Sequence, residues 1–149
     1  MKIILPSGHE CLIDDEYEYL SSWKWKMSSK GYVCCEVTKK RVFLHHIILP
    51  KMDGLFCDHI NGNRADNRKS NLRYVTPKQN TWNRKRHKGG SSQYKGVRLE
   101  AGKYWRAKIR IDGVQTWLGY FETEEDAARA YDVAAKEAFG EYARLNFPS

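Results

Sequence analysis

Short apolar runs dominate the first half of the chain, and one clean alternation dominates the second. Residues 2–5 (K-I-I-L) form a β-leaning run stopped by Pro6-Ser7-Gly8, and Cys11-Leu12-Ile13 is its hairpin return. Residues 14–20 (D-D-E-Y-E-Y-L) suit a short helix, because acids at its start favour the dipole and Tyr17 shares a face with Leu20. Trp23 and Trp25 alternate with lysines as a strand does; Lys30-Gly31 turns and residues 32–37 run back. The branched and aromatic run Val42–Leu49 predicts a buried strand, broken by Pro50 and Gly54, and residues 55–60 a second short strand. Thr76 is the expected N-cap of a helix with Pro77 in its first position.

Beyond residue 93 the period changes. Strands are predicted over 94–99, 104–111 and 114–120, with Asp112-Gly113 as a two-residue hairpin turn. In the middle strand Trp105, Ala107, Ile109 and Ile111 point one way, and Tyr104, Arg106, Lys108 and Arg110 the other. Thr123-Glu-Glu-Asp126 is a capping box opening a helix over 124–139, ended by Gly140. Ala127, Ala130, Tyr131, Ala134 and Ala138 line the helix face that lies close on the sheet. Residues 144–148 return as a tail, with Leu145 and Phe147 packed. The fold class is α+β. A strand-rich lead (1–40) precedes a compact strand-and-helix unit (41–87). A linker (88–92, K-G-G-S-S) then joins it to a three-stranded antiparallel sheet on one helix (93–149).

The stretch from Asp58 to Asn80 fits no core element. It holds Asn61, Asn63, Asn67, Asn71 and Asn80 beside an Asp-His pair, and the Asn-Gly at 61–62 is a turn. Such residues suit a metal site acting on a phosphodiester. Hydrolysis there needs a nucleophilic water, neutralised phosphate charge and help for the leaving oxygen. A hard divalent ion on oxygen ligands supplies the last two, and Asp58 carboxylate with Asn80 amide oxygen are candidate ligands. Neutral His59, next to Asp58, can take the proton from water.

D-H-I-N-G-N, then D-N-R-K-S-N-L-R, then Q-N, resembles the HNH endonucleases of the phage and intron-encoded homing type over residues 41–84. His59, Asn71 and Asn80 take the His, Asn and Asn places. The resemblance implies a ββα-metal fold, Mg²⁺ or Mn²⁺ on Asp58 and Asn80, His59 as general base, and Asn71 pinning the loop that presents it. His46 stands where that family usually carries an Arg.

The formal charge is +8. It concentrates in residues 41–87, net +7, and 88–123, net +4, whereas 1–40 is neutral and 124–149 is net −3. An anionic partner is implied, with the last helix turned away from it. Arg84, Lys85 and Arg86, in the run N-R-K-R-H, suit a phosphate backbone. The four cysteines, at 11, 34, 35 and 57, form no C-x-x-C pair, which argues against a zinc knuckle. They read as reduced thiols of a cytoplasmic protein, in a bacterial host cell if phage-encoded. No apolar run approaches the ~20 residues of a membrane span.

Y-K-G-V-R, W-R-A-K-I-R, W-L-G-Y-F-E-T-E-E-D-A-A-R-A-Y-D and A-R-L-N-F-P resemble the ethylene-response-factor (APETALA-type) DNA-binding domain over residues 93–148. That family lays its sheet in the major groove. The matching positions are Arg98, Arg106, Lys108, Arg110 and Trp117, with Gln115 on the same face and Lys95 nearer the edge. Plant members carry Arg, Trp and Lys in the first turn where this chain has Glu100, Ala101 and Gly102, so base preference does not carry over. The combined expectation is a homing-type endonuclease of double-stranded DNA, acting as a monomer that nicks. The alternative is a sequence-specific DNA-binding regulator with an inactive nuclease unit.

Overall fold

The structure is a computed structural model. It describes residues 1–86 and 89–148; His87 and Lys88, where the basic run ends and the linker begins, and Ser149 lie outside the described residues. The chain forms two compact units, Met1–Asn80 and Thr81–Ser149.

In the first unit β1 (Lys2–Ile4) pairs antiparallel with β2 (Glu10–Leu12). A 3-10 helix covers Asp15–Ser22. The strand expected around the tryptophans shrinks to β3 (Lys26–Met27). Trp25 is instead buried, its Nε1 donating to the Leu20 carbonyl at 2.7 Å, and Trp23 stacks on it with ring centroids 5.7 Å apart. β4 (Val33–Val37) lies between β3 and β5 (Lys40–Phe43). The core gathers Ile3, Leu5, Ile13, Leu20, Val33 and Leu44.

The strand expected over residues 42–49 is corrected. β5 stops at Phe43, and Leu44–Ile48 is a short helix, α1. Leu44, His45 and Ile48 are all buried, an i, i+1, i+4 set that a helix presents to one side and a strand cannot. The β-branched content was a weaker constraint than burial of that set. A second correction concerns the hairpin: β6 (Phe56–His59) pairs antiparallel with β7 (Leu72–Val75), which the polar sequence before it had masked. α2 (Pro77–Trp82) follows, and Thr76 caps it reciprocally. Its Oγ1 accepts from Gln79 N at 3.3 Å while Gln79 Oε1 accepts from Thr76 N at 2.9 Å.

The second unit follows the alternation. β8 (Val97–Glu100), β9 (Tyr104–Ile111) and β10 (Val114–Phe121) form an antiparallel sheet in the order β10-β9-β8, under α3 (Glu124–Phe139). β8 starts three residues later than expected. The preceding segment is tied elsewhere: Lys95 N donates to Asn146 Oδ1 at 2.6 Å and Tyr94 N to Ser92 Oγ at 2.9 Å. Ala107, Ala127 and Ala128 are fully buried, so small side chains set the close approach of helix and sheet. Trp82 stacks on Phe139 at 4.8 Å.

Gly96 lies under the ring of Tyr131 with φ +80°. A Cβ there would fall 2.0 Å from Tyr131 Cδ2 and 2.8 Å from the Lys108 carbonyl oxygen. Gly96→Ala is therefore expected to destabilise the second unit by more than about 3 kcal/mol, since strain and overpacking add. Thermal unfolding followed by Trp fluorescence measures it, and a change below 1 kcal/mol would contradict the close contact.

Candidate functional site

Asp58 and His59 close β6, and both are buried. Asp58 faces Arg73 across the hairpin, and its Oδ2 accepts from Arg73 Nε at 3.1 Å and lies 3.0 Å from Nη2. His59 Nε2 lies 3.1 Å from Asn67 Oδ1. The Asn67 amide is oriented by its other end, where Nδ2 donates to the Arg64 carbonyl at 3.4 Å and to Cys11 Sγ at 3.5 Å. An amide oxygen only accepts, so His59 Nε2 donates, and the neutral ring carries its lone pair on Nδ1. Burial is the largest influence on His59 and pushes its pKa below the usual histidine value, against the opposing effects of Asn67 and Asp58. The ring is thereby kept neutral, as a proton acceptor must be.

The loop between the strands is held by its own polar groups. Asn71 Oδ1 accepts from Asn61 N at 3.0 Å, its Nδ2 donates to the Asp66 carbonyl at 2.7 Å, and its own carbonyl accepts from Ile60 N at 2.9 Å. Asn71 thus joins both ends of the loop directly after His59. Asn80 is half-buried one turn into α2, its N–H donating to the Thr76 carbonyl at 3.0 Å. Arg84, Lys85 and Arg86 follow α2 in irregular backbone, the first two exposed.

No group of three or more His, Cys, Asp or Glu side chains suited to a metal ion occurs among the described residues. A carboxylate with an amide oxygen is nevertheless a hard-donor set, matching Mg²⁺ or Mn²⁺ that keep most of their waters. The residues fit the ion on these grounds.

Several residues here were given no role in this site from the sequence. Asn67 is fully buried, and its contact with His59 is readable only from the fold; its place in D-N-R was the available signal. His45 had none: its ring centroid lies 5.4 Å from that of His59 and 4.2 Å from that of His46. Burial, then the neighbouring His46 and His59, lower its pKa to about 3.

On the second unit the sheet brings the expected residues onto one face. Register rows place Arg98 beside Arg106 and Tyr120, Lys108 beside Trp117, and Arg110 beside Gln115. A bulge between Trp117 and Gly119 shifts the parity, so Leu118 packs inward and Tyr120 joins the charged face. Tyr104, Trp117 and Tyr120 are exposed and form an aromatic group, Trp117 meeting Tyr120 edge-on at 4.9 Å. Tyr120 was not among the residues expected on this face, because no residue type announces the bulge that turns it there. Lys95 is set apart from this face. Its ammonium donates to the Trp82 carbonyl at 2.7 Å, and burial lowers its pKa to about 8.

A family model described as HNH endonuclease matches residues 43–81. An uncharacterized HNH endonuclease of Acanthamoeba polyphaga mimivirus is 34% identical over 137 residues, covering 89% of this chain and 71% of that protein. The second unit is similar to plant proteins. An ethylene-responsive transcription factor of Arabidopsis thaliana is 43% identical over 75 residues, covering 49% of this chain and 29% of that protein. A dehydration-responsive element-binding protein of the same plant is 46% identical over 69 residues, covering 42% of this chain and 34% of that protein. The chain thus spans about a third of these plant relatives.

His45 sets a pH dependence. Its folded pKa lies well below the ordinary histidine value near 6.5, so below that value the unfolded chain binds a proton that the folded one refuses. Stability of the first unit is expected to be full above about pH 6.5 and to fall by about 1.4 kcal/mol per pH unit from this residue as pH drops toward 4. His45→Leu should flatten that slope. Urea unfolding at stepped pH measures it, and equal slopes in both proteins would refute the assignment.

Proposed function

The chain belongs to the HNH endonuclease family, and we propose that it is a metal-dependent, homing-type endonuclease of double-stranded DNA, positioned by the β8–β10 sheet. The observation that carries this reading is the buried pair at the end of β6. A neutral His59 stands next to a carboxylate, its Nε2–H engaged by Asn67 and the loop behind it closed by Asn71.

HNH endonucleases generally use divalent metal ions. Asp58 and Asn80 would hold the ion, which supplies charge neutralisation at the scissile phosphate and at the leaving oxygen. The remaining steps belong to the chain. His59 Nδ1 accepts the proton of the attacking water. Asn67 holds the ring so that this nitrogen keeps its lone pair. Asn71 keeps the loop from carrying His59 away. Arg73 orients the Asp58 carboxylate through its paired contacts.

Recognition falls to the other unit. Arg98, Lys108, Arg110, Gln115 and Trp117 stand on one sheet face, and a twisted antiparallel sheet fits the major groove. Arg84 and Lys85 suit phosphates. One chain carries one such catalytic pair, so the monomer cuts one strand.

Two experiments test this. Supercoiled plasmid carrying random inserts should relax in Mg²⁺ or Mn²⁺, not in chelator, with nicked circle preceding linear product. His59→Ala should lose at least about a hundredfold in rate, the lower end for a general base. Linear product forming in step with nicked circle at dilute enzyme would overturn the nicking monomer. Duplex binding without any cutting would favour a regulator with an inactive nuclease unit. In a separate titration, affinity for duplex should fall steeply between about 50 and 200 mM salt, with a log–log slope near −0.9 per phosphate neutralised. A flat response would remove the basic faces from the contact surface.

A further inference from the structure

The reading face of the sheet is basic and aromatic, with one exception. Glu100, at the end of β8, is the only carboxylate that the three strands place on it, and it contacts Arg106. Arg106 sits on the central strand with Arg98 on one side and Tyr120 on the other, so the pair lies within the face. The contact is 2.9 Å between Arg106 Nη1 and Glu100 Oε2, yet the two do not align as a hydrogen bond. Glu100 Oε2 and Arg106 Nε are both buried with no hydrogen-bond partner among the described residues. The side chains keep 41% and 23% of their surface exposed.

A carboxylate here is a poor device for holding phosphate. It offsets the charge of Arg106, and it repels the backbone. Nor does it add much stability, since an ion pair this exposed contributes little. What the pair does offer is a donor fork beside an acceptor. A G·C pair presents the complementary pattern on its major-groove edge: guanine O6 and N7 accept, and cytosine N4 donates. An A·T pair presents acceptor, donor, acceptor, and leaves one partner of the pair facing a like group. A wrong base would leave the exposed ends of these two side chains desolvated and unpaired, so the penalty for a wrong base is larger than the gain for a right one.

Resting on the DNA-binding reading above, we infer that Glu100 and Arg106 act together as a base-reading unit for one G·C pair, with Arg106 on guanine and Glu100 on cytosine N4. Lys108 and Arg110 lie farther along the face from Glu100 and are left for guanine edges or phosphates.

The test is selection of duplexes from a randomised library by the full chain in chelator, so that nothing is cut. Wild type should enrich a motif containing a fixed G·C pair, and changing that pair to A·T should lower affinity about tenfold, within the range of a bidentate base contact. Glu100→Ala should lose the preference at that one pair while binding mixed-sequence duplex as tightly as wild type or more so. Arg106→Ala should lose the same preference and keep the rest of the motif. Circular dichroism on both variants establishes that the sheet remains folded. An unchanged motif in Glu100→Ala would overturn the inference and leave the contact as a surface ion pair. A motif without that G·C pair would overturn it as well. If wild type retains no duplex at all, the DNA-binding reading itself falls, an outcome visible before any variant is made.

Discussion

Asp66 holds together the loop after His59. The loop after His59 contains almost nothing hydrophobic apart from Ala65 and Ile60, so its conformation must come from polar contacts. Asp66 is 2% exposed. Its carboxylate accepts from Asn61 Nδ2 at 2.9 Å, from Arg68 Nε at 2.8 Å and from Arg68 Nη2 at 2.7 Å, while its backbone carbonyl accepts from Asn71. The hydrogen bonds to Arg68 are the largest cause of its lowered pKa, so it is ionised and stays so. The chain on either side of it pairs with Leu12: Leu12 N donates to the Ala65 carbonyl at 2.8 Å, and Asn67 N to the Leu12 carbonyl at 2.8 Å. The strand-rich lead is therefore part of the site's support. β2 fixes the backbone from which Asn67 reaches His59.

The second unit solves a different problem by different means. Its sheet must leave one face open, so all its stabilisation comes from the other. Alanines bring α3 close, Gly96 makes room for Tyr131, and Asp132 ties down the tail by accepting from Asn146 N and Phe147 N, both at 2.8 Å. Asn146 in turn clamps the Lys95 backbone from both sides. The ends of the sheet are thus fixed by polar clamps, and the open face needs to contribute nothing to folding. That freedom is what permits a row of basic side chains and exposed aromatics on it.

What could be read from the sequence followed from how local each determinant is. The ends of α3 were legible to the residue, because Thr123, Asp126 and Gly140 act within one turn of them, but its packing face was not: Ala127, Ala128, Tyr131, Ala135 and Phe139 are buried, where Ala127, Ala130, Tyr131, Ala134 and Ala138 were expected. β9 was legible because its alternation is long. β10 was legible up to the bulge, which moves Tyr120 onto the charged face by a shift of register that no residue type announces. β7 and α1 were misread because both are short, and tertiary burial outweighed local preference in Leu44–Ile48. In the candidate site, Asp58, His59, Asn71 and Asn80 stood out by type and spacing. Asn67, His45 and Arg73 did not, because their importance lies in contacts made across the fold: to His59, to the same ring, and to Asp58.

The two units also place opposite demands on water, and the charge distribution meets both. Burial pushes the His59 pKa down, against the Asp58 carboxylate beside it, which favours the charged form. An open basic face stays hydrated, and its charges attract an anionic partner from a distance. Residues 41–87 and 88–123 carry the positive charge, while the acids of 124–149 sit largely on α3, which packs against the apolar side of the sheet. The second unit is therefore polarised, positive on the open face and negative on the helix behind it. An approaching polyanion is drawn to one side and repelled from the other. Such a field would orient the second unit on a polyanion before contact, and an acid on the attractive side, such as Glu100, does not serve that attraction.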